Sequence, residues 1–202
     1  MSATIFLEGG ASGPHSKALN TECRKGFREL LGKCGFERMP ALLACRGRAN
    51  AFRDFKKLLN RQSEAGFVAL WVDSEDPVEN IEKTWAHLKN RLGDNWTKPR
   101  RATDEQVLLM TTCMETLIAA DRIALQMHYG PKLNESALPP LVNLESRHRD
   151  EVHDRLEKVT GKCPNKYTKG KRSFEILAKL NPDVLEQLPS FKRTRRILEA
   201  KL

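Results

Sequence analysis

Residues 67–79, FVALWVDSEDPVE, constrain the fold of this chain more than any other stretch. Phe67, Val68, Ala69, Leu70, Trp71 and Val72 form an unbroken run of apolar, largely β-branched and aromatic residues, which suits a strand covered on both faces of a parallel sheet. The run then stops in acid. Asp73, Glu75, Asp76 and Glu79 fall within seven positions, and Pro77 blocks further strand pairing. A second apolar strand, residues 4–7, ends the same way, in Glu8 followed by the pliant pair Gly9 and Gly10. In an open parallel sheet the carboxyl ends of neighbouring strands face one crevice, and ligands bind there. The sequence therefore predicts that Glu8, Asp73 and Glu75 meet around a divalent cation.

The segments between these strands support a parallel sheet. Leu19, Cys23, Phe27, Leu30, Leu31 and Cys34 recur at spacings of three and four, predicting a helix over residues 16–35 that stops at Gly35. Residues 39–45 are a third short apolar run, and Arg46 and Arg48 follow it directly. Phe52, Phe55, Leu58 and Leu59 predict a helix over 49–62. Strand, helix, strand, helix, strand within the first 75 residues or so argues for right-handed crossovers and an α/β fold. The loop at residues 9–15, GGASGPH, lacks the Lys-Ser/Thr ending of a P-loop, so it reads as a turn first and a phosphate cradle second.

Residues 107–112 are a further strand candidate and 113–127 the helix after it. Glu115, at that junction, is a candidate fourth carboxylate. Asp121 lies six positions on, off the same helix face, and is free for a structural contact. Pro139 and Pro140 mark a loop, and residues 145–160 read as a highly charged helix. The expected organisation is an α/β core over residues 1–130 and a basic helical extension over 131–202, packed on it.

The net charge is +9, from 35 basic and 26 acidic residues among 202. Residues 162–202 hold eleven of the cations against four acids, a surplus of seven concentrated in YTKGKRS and FKRTRR. A solvated helical face is one reading of such runs and a surface for a polyanion backbone the other. Lys169, Lys171 and Arg172 are the candidate nucleic-acid contacts in the first patch. Arg46 and Arg48 either join them or pair with acids across the crevice mouth. Trp85 and Trp96, set among Lys and Arg, could stack on bases, although anchoring to the core is the commoner use of such rings.

Cys23, Cys34, Cys45, Cys113 and Cys163 are odd in number and without a C-x-x-C pair, so they read as packed thiols. The five histidines are scattered, which argues against zinc. No apolar run approaches the roughly 20 residues that span a bilayer, and the first residues carry no signal-peptide pattern. The expected location is cytoplasmic, without a membrane partner.

The motifs EGG at Glu8, CRGR at Cys45, VDSEDPV at Val72, METLIAAD at Met114, YTKGKRSF at Tyr167 and NPDV at Asn181, in this order and spacing, resemble the bacterial domain-of-unknown-function 4276 family over nearly the whole chain. That family's core is similar to the Toprim fold, the metal-binding domain of topoisomerases, primases and nucleases found beside ATPases in phage defence. The resemblance implies a Toprim-like parallel-sheet core flanked by helices, in which one Glu closes the first strand and a D-x-D closes a later one. Glu8 matches the first position and Asp73 the first acid of the pair; Glu75 stands where an Asp is usual. The longer Glu side chain still reaches Mg²⁺, whose octahedral shell needs only one or two carboxylates plus water.

Together these readings predict a Mg²⁺- or Mn²⁺-dependent nuclease. Asp73 and Glu75 would be metal ligands, Glu8 a ligand and general base or acid, and Glu115 a further ligand. The partners implied are nucleic acid and an ATPase of the ABC or AAA type. The competing expectations are a catalytically inactive subunit that binds nucleic acid or docks on an ATPase, and acids that merely cap strands and pair with arginines.

Overall fold

Four short strands, Ser2–Leu7 (β1), Ala41–Ala44 (β2), Gly66–Asp73 (β3) and Val107–Met110 (β4), pair in the order β2-β1-β3-β4, every pairing parallel. The molecule is seen in a computed structural model, which describes residues 2–11, 16–61 and 66–202. The predicted 9–15 loop therefore lies partly outside the described residues, at positions 12–15.

The strand order has a consequence for function. The chain steps from β1 to β2 on one side, then returns past β1 to place β3 and β4 on the other. The order thus reverses between β1 and β3, and in open parallel sheets a cleft forms outside the strand ends at such a reversal. Leu7 is level with Trp71 in the β1–β3 register, so Glu8 and Asp73 leave the sheet side by side at that cleft.

Helices cover both faces, as the apolar strand runs require. Alternate residues divide cleanly: Ile5, Leu7, Ala69, Trp71, Leu108 and Met110 face one core, and Phe6, Val68, Leu70, Val72, Val107 and Leu109 the other. The second core is closed by Arg48–Arg61 (α2) and Thr84–Asn90 (α3), through Phe52, Phe55, Trp85 and Leu88. The first is closed by Ser16–Gly32 (α1), where the Phe27 ring meets Trp71 edge-on at 4.8 Å. Phe27→Ala would cost about 3–5 kcal/mol.

The remaining helices join the α1 side: Met114–Ala120 (α4), Arg122–Tyr129 (α5), Arg149–Thr160 (α6), Lys171–Leu177 (α7), Pro182–Leu185 (α8) and Pro189–Lys201 (α9). Val152, Leu156, Phe174, Ile176, Leu185 and Ile197 belong to one continuous cluster with the strand residues Ile5 and Trp71. The basic C-terminal region is thus packed on the sheet's own core. Among the described residues no helix is long and apolar enough to cross a membrane.

Several expected elements are revised. The single helix over 113–127 is two helices, broken at Asp121, whose φ of −95° and ψ of 85° leave the helical region. Asp121 caps α5 by accepting the Ala124 amide at 2.9 Å, and takes the Asn181 amide at 2.8 Å with its other oxygen. The charged helix starts at Arg149, not 145; Glu145 instead receives the Ser190 amide at 3.2 Å and so ties the start of α9. Trp85 and Trp96 are buried, with Trp96 stacked 4.2 Å from Phe52, so neither ring is available to a nucleic-acid base.

In the FKRTRR patch the three arginines have partners within the chain, while Lys192 and Arg196 stay exposed. Arg193 is buried and donates to the carbonyls of Val107 at 2.9 Å and Asp104 at 2.8 Å, closing the open edge beside β4. Arg195 pairs with Asp183, Glu186 and Glu199, and Arg196 with Glu82. These cations dock α9 onto acids of its own chain. All five cysteines are free and buried.

Candidate metal centre at the strand ends

Glu8, Asp73 and Glu75 converge as expected: one carboxylate oxygen from each lies within 4.8 Å of the others. They line a crevice of about 230 Å³ whose other walls include Gly9, Gly10, Gly47, Glu115 and Lys169, over an apolar floor of Phe27, Met110, Met114 and Phe174.

Main-chain bonds fix the rim. The Glu8 amide donates to the Trp71 carbonyl at 3.1 Å, extending β1 by one residue beside β3. The turn after β2 is stitched to the same loop, with Arg46 N–H on the Gly9 carbonyl at 3.2 Å and Gly47 N–H on the Glu8 carbonyl at 2.8 Å. Gly10 sits at a φ of +101°, and a Cβ there would strike the Asn20 side chain at 2.1 Å, so the glycine is required both for its conformation and for space.

Glu8 and Asp73 are each hydrogen-bonded through one oxygen. Glu8 Oε2 accepts the Asp73 amide at 3.0 Å and the Arg48 guanidinium at 3.1 Å. Asp73 Oδ1 accepts the Met114 amide at 2.8 Å, at the first turn of α4. Glu75 Oε2 faces two guanidinium groups, Arg91 at 3.6 Å and Arg149 in direct contact. Among the described residues, Glu8 Oε1, Asp73 Oδ2 and both Glu75 oxygens accept no hydrogen bond, the buried Glu75 Oε2 included. Glu75 itself has a φ of +69°, a left-handed conformation uncommon for a residue with a Cβ, and its amide donates to the Thr112 carbonyl at 2.7 Å.

Burial raises Asp73 well above the usual carboxylate range, and the charges of Glu8 and Glu115 push it further, against Lys169 and Arg48. Asp73 is therefore a carboxyl short of compensating positive charge.

Glu115 also lines the crevice, and one ligand atom each from Cys113, Glu115 and His153 lie within 4.8 Å of one another. Glu115 is buried, and its oxygens are occupied: His153 Nε2 lies 2.9 Å from Oε2, and the Tyr167 hydroxyl donates to Oε1 at 2.5 Å. Burial would raise Glu115, but the His153 hydrogen bond and charge, with Tyr167 and Lys169, hold it down at about 2. The Tyr167 amide donates to Thr160 Oγ1 at 2.8 Å, and the Gly170 amide to Ser173 Oγ at 3.2 Å. Lys169 is suspended between these two fixed points, on the wall of the crevice.

The expected cations divide. Lys169 and Lys171 are both exposed; Lys169 lines the crevice, Lys171 pairs with Glu175 at 3.7 Å, and the charge of Arg172 is felt at His128 and Tyr129. Arg46 is exposed on the turn after β2. Arg48 takes the acid-pairing role: besides Glu8 it donates to the Asp73 carbonyl, holds Asp94 with two bonds at 2.7 and 2.5 Å, and lies 4.8 Å over the Trp96 ring. Asp94, Arg91, Arg149, His153 and Tyr167 complete the site and were not expected there. Tyr167 carried a signal, lying in the same motif as Lys169; the others lie far along the chain with no periodic pattern to mark them.

Fold and site together define an α/β protein with a four-stranded parallel sheet and an acidic crevice at its topological reversal. The chain belongs to the family described as Domain of unknown function (DUF4276), whose profile matches residues 14–199 and so takes in every acid of the site except Glu8. No curated protein and no solved structure matches the chain.

Proposed function

We propose that the protein is a divalent-metal-dependent phosphodiester hydrolase with a Toprim-like core, acting on DNA or RNA. The observation that carries this reading is the meeting of Glu8, Asp73 and Glu75 at the strand-order reversal, with one carboxylate oxygen of each within 4.8 Å of the others. The donor set fits Mg²⁺ or Mn²⁺, which take hard oxygen ligands. The charge balance fits too, since Asp73 is crowded by Glu8 and Glu115 and a cation relieves that crowding.

Asp73 and Glu75 would hold the ion, with Glu8 as third ligand or as the group that takes a proton from water. The ion, when bound, polarises a phosphate oxygen and lowers the pKa of a bound water. Lys169, on the crevice wall between the anchored residues Tyr167 and Gly170, would supply a positive charge for the phosphate. Glu115 positions that loop and is left out of the ligand set, because both its oxygens are engaged. The family resemblance supports a role in phage defence beside an ATPase of the ABC or AAA type, in the cytoplasm.

The test is incubation of the purified protein with DNA and RNA in Mg²⁺ or Mn²⁺. Cleavage that Asp73→Ala removes without unfolding the protein is expected; cleavage equal in the variant excludes the metal mechanism. A second reading has an observation of its own. Arg48 on Glu8, and Arg91 and Arg149 on Glu75, already neutralise two of the acids, as in a module that binds nucleic acid or an ATPase without catalysis. Salt-sensitive binding with no cleavage in any metal would favour it.

A further inference from the structure

Three arginines reach the acids, and they are held in very different ways. Arg48 is 12% exposed in its side chain and bound to Glu8, Asp94 and the Asp73 carbonyl. Arg91 is 16% exposed and shared among Glu75 at 3.6 Å, Asp76 at 3.4 Å and Asp94 at 3.2 Å. Arg149 is 38% exposed, and apart from Glu75 its contact is Asp150 at 3.5 Å, itself 67% exposed. Arg48 and Arg91 are both tied to the side chain of Asp94, and each also serves a further acid. Withdrawing Arg149 disturbs the crevice only at Glu75, which keeps Arg91 as a counter-charge.

We propose that Arg149 is an exchangeable counter-ion of Glu75: it holds the carboxylate in the metal-free protein, yields it to an arriving divalent cation, and then binds a phosphate oxygen of the substrate at the crevice mouth. The inference rests on the metal-centre reading and adds to it a residue that positions substrate and sets metal affinity.

Two features of the chain support the exchange. Glu75 cannot follow Arg149 outward, because its left-handed backbone is fixed by the amide bond to Thr112. Arg149 cannot leave the site, because it is the first residue of α6, which is anchored in the core by Val152, Leu156 and Val159. Only the long side chain is free to move, and the planar guanidinium fork that fits a carboxylate also fits a phosphate.

The experiment is Mn²⁺ titration followed by the electron paramagnetic resonance of free Mn²⁺, on wild type, Arg149→Ala, Arg149→Lys and Asp73→Asn. A partner experiment measures fluorescence anisotropy of labelled single-stranded and duplex oligonucleotides with Ca²⁺ present. Arg149→Ala is expected to bind Mn²⁺ about five-fold tighter, the worth of a partly exposed ion pair, and oligonucleotide several-fold more weakly, with Arg149→Lys between it and wild type in both. Mn²⁺ affinity unchanged or lowered in Arg149→Ala, where wild type binds the ion and Asp73→Asn does not, overturns the exchange and leaves the metal centre standing. Tighter Mn²⁺ with unaltered oligonucleotide affinity also overturns it. Failure of both wild type and Arg149→Ala to bind Mn²⁺ removes the metal-centre reading and the exchange together.

Discussion

Glu8 Oε2 accepts the backbone amide of Asp73 at 3.0 Å, so the acids closing the first and third strands are bonded to each other before any ligand enters. The contact follows from the register, with Leu7 opposite Trp71 and the sheet order reversing between the two strands. It makes the two carboxylates one electrostatic unit, and the Glu8 charge adds to burial in making Asp73 hard to ionise.

Asp73→Asn is therefore expected to stabilise the metal-free protein while abolishing its response to metal. A carboxyl whose folded pKa is raised favours the fold when protonated, and that advantage is lost as pH rises through the unfolded value of about 3.9 towards the folded one. At neutral pH the charge opposes folding, and the amide oxygen of the substituted side chain can still take the Met114 N–H. Thermal melts should show the Asp73→Asn variant higher by about 2–4 °C for each kcal/mol relieved, for a chain of this size, with no further rise on adding Mn²⁺. In wild type the Mn²⁺ affinity should increase with pH, because the ion displaces the Asp73 proton. A pH-independent affinity would remove Asp73 from the ligand set.

Glu115 has the opposite sign. Its folded pKa of about 2 lies below the ordinary value, so its contribution to stability is complete above about pH 4.5 and fades as pH falls towards 2. Glu115→Gln should cost about 2–3 kcal/mol near neutrality. Urea unfolding at pH 6 and pH 3 should show the gap to wild type narrowing at the lower pH. A gap of equal size at both would mean that shape, and not charge, sets the cost.

Much of this site could be read along the chain because its acids close strands. Residues 67–73 announce a buried strand by composition and a ligand edge by ending in acid, and residues 4–8 repeat the pattern. Apolar spacing runs straight through the helical break at Asp121, where the side chain caps the next helix at Ala124 and takes the distant Asn181 amide. Arginine roles were hidden as well. Charge runs give a density but no direction: in FKRTRR Arg193 turns inward to the Val107 carbonyl, while the exposed Arg196 pairs with Glu82, distant in sequence. Arg149 and His153 reach the site only because α6 folds back over α4.

Arg48 tests the division between structure and binding. Arg48→Ala leaves Glu8 without its bonded cation, leaves Asp94 with Arg91 alone, and removes the group lying over Trp96. Breaking such a pair costs about 3–5 kcal/mol, to be read as an earlier urea midpoint at pH 7. Arg48→Lys should recover only part of it, since one ammonium cannot replace a fork that reaches both acids. A variant that unfolds like wild type but binds nucleic acid less tightly would return Arg48 to the role of phosphate contact.

The salt dependence of nucleic-acid binding separates Lys169 from the C-terminal arginines. Each phosphate neutralised contributes about −0.9 to the slope of log affinity against log salt on duplex and about −0.7 on single strands. Lys169 lies on the crevice wall between the anchored residues Tyr167 and Gly170, and its loss should lower the magnitude of that slope by about one phosphate contact. Arg196 is as exposed as many binding residues, yet it is held by Glu82 at 2.8 Å on the surface of α9. Arg196→Ala should leave the slope unchanged if the polyanion lies in the crevice, because that arginine is not among the residues lining it. Anisotropy titrations from about 50 to about 200 mM salt give both slopes, over a range in which several phosphate contacts change affinity by orders of magnitude. A slope that drops in Arg196→Ala and holds in Lys169→Ala would move the binding surface from the strand ends to the C-terminal helix, and would leave the acids without a polyanion to act on.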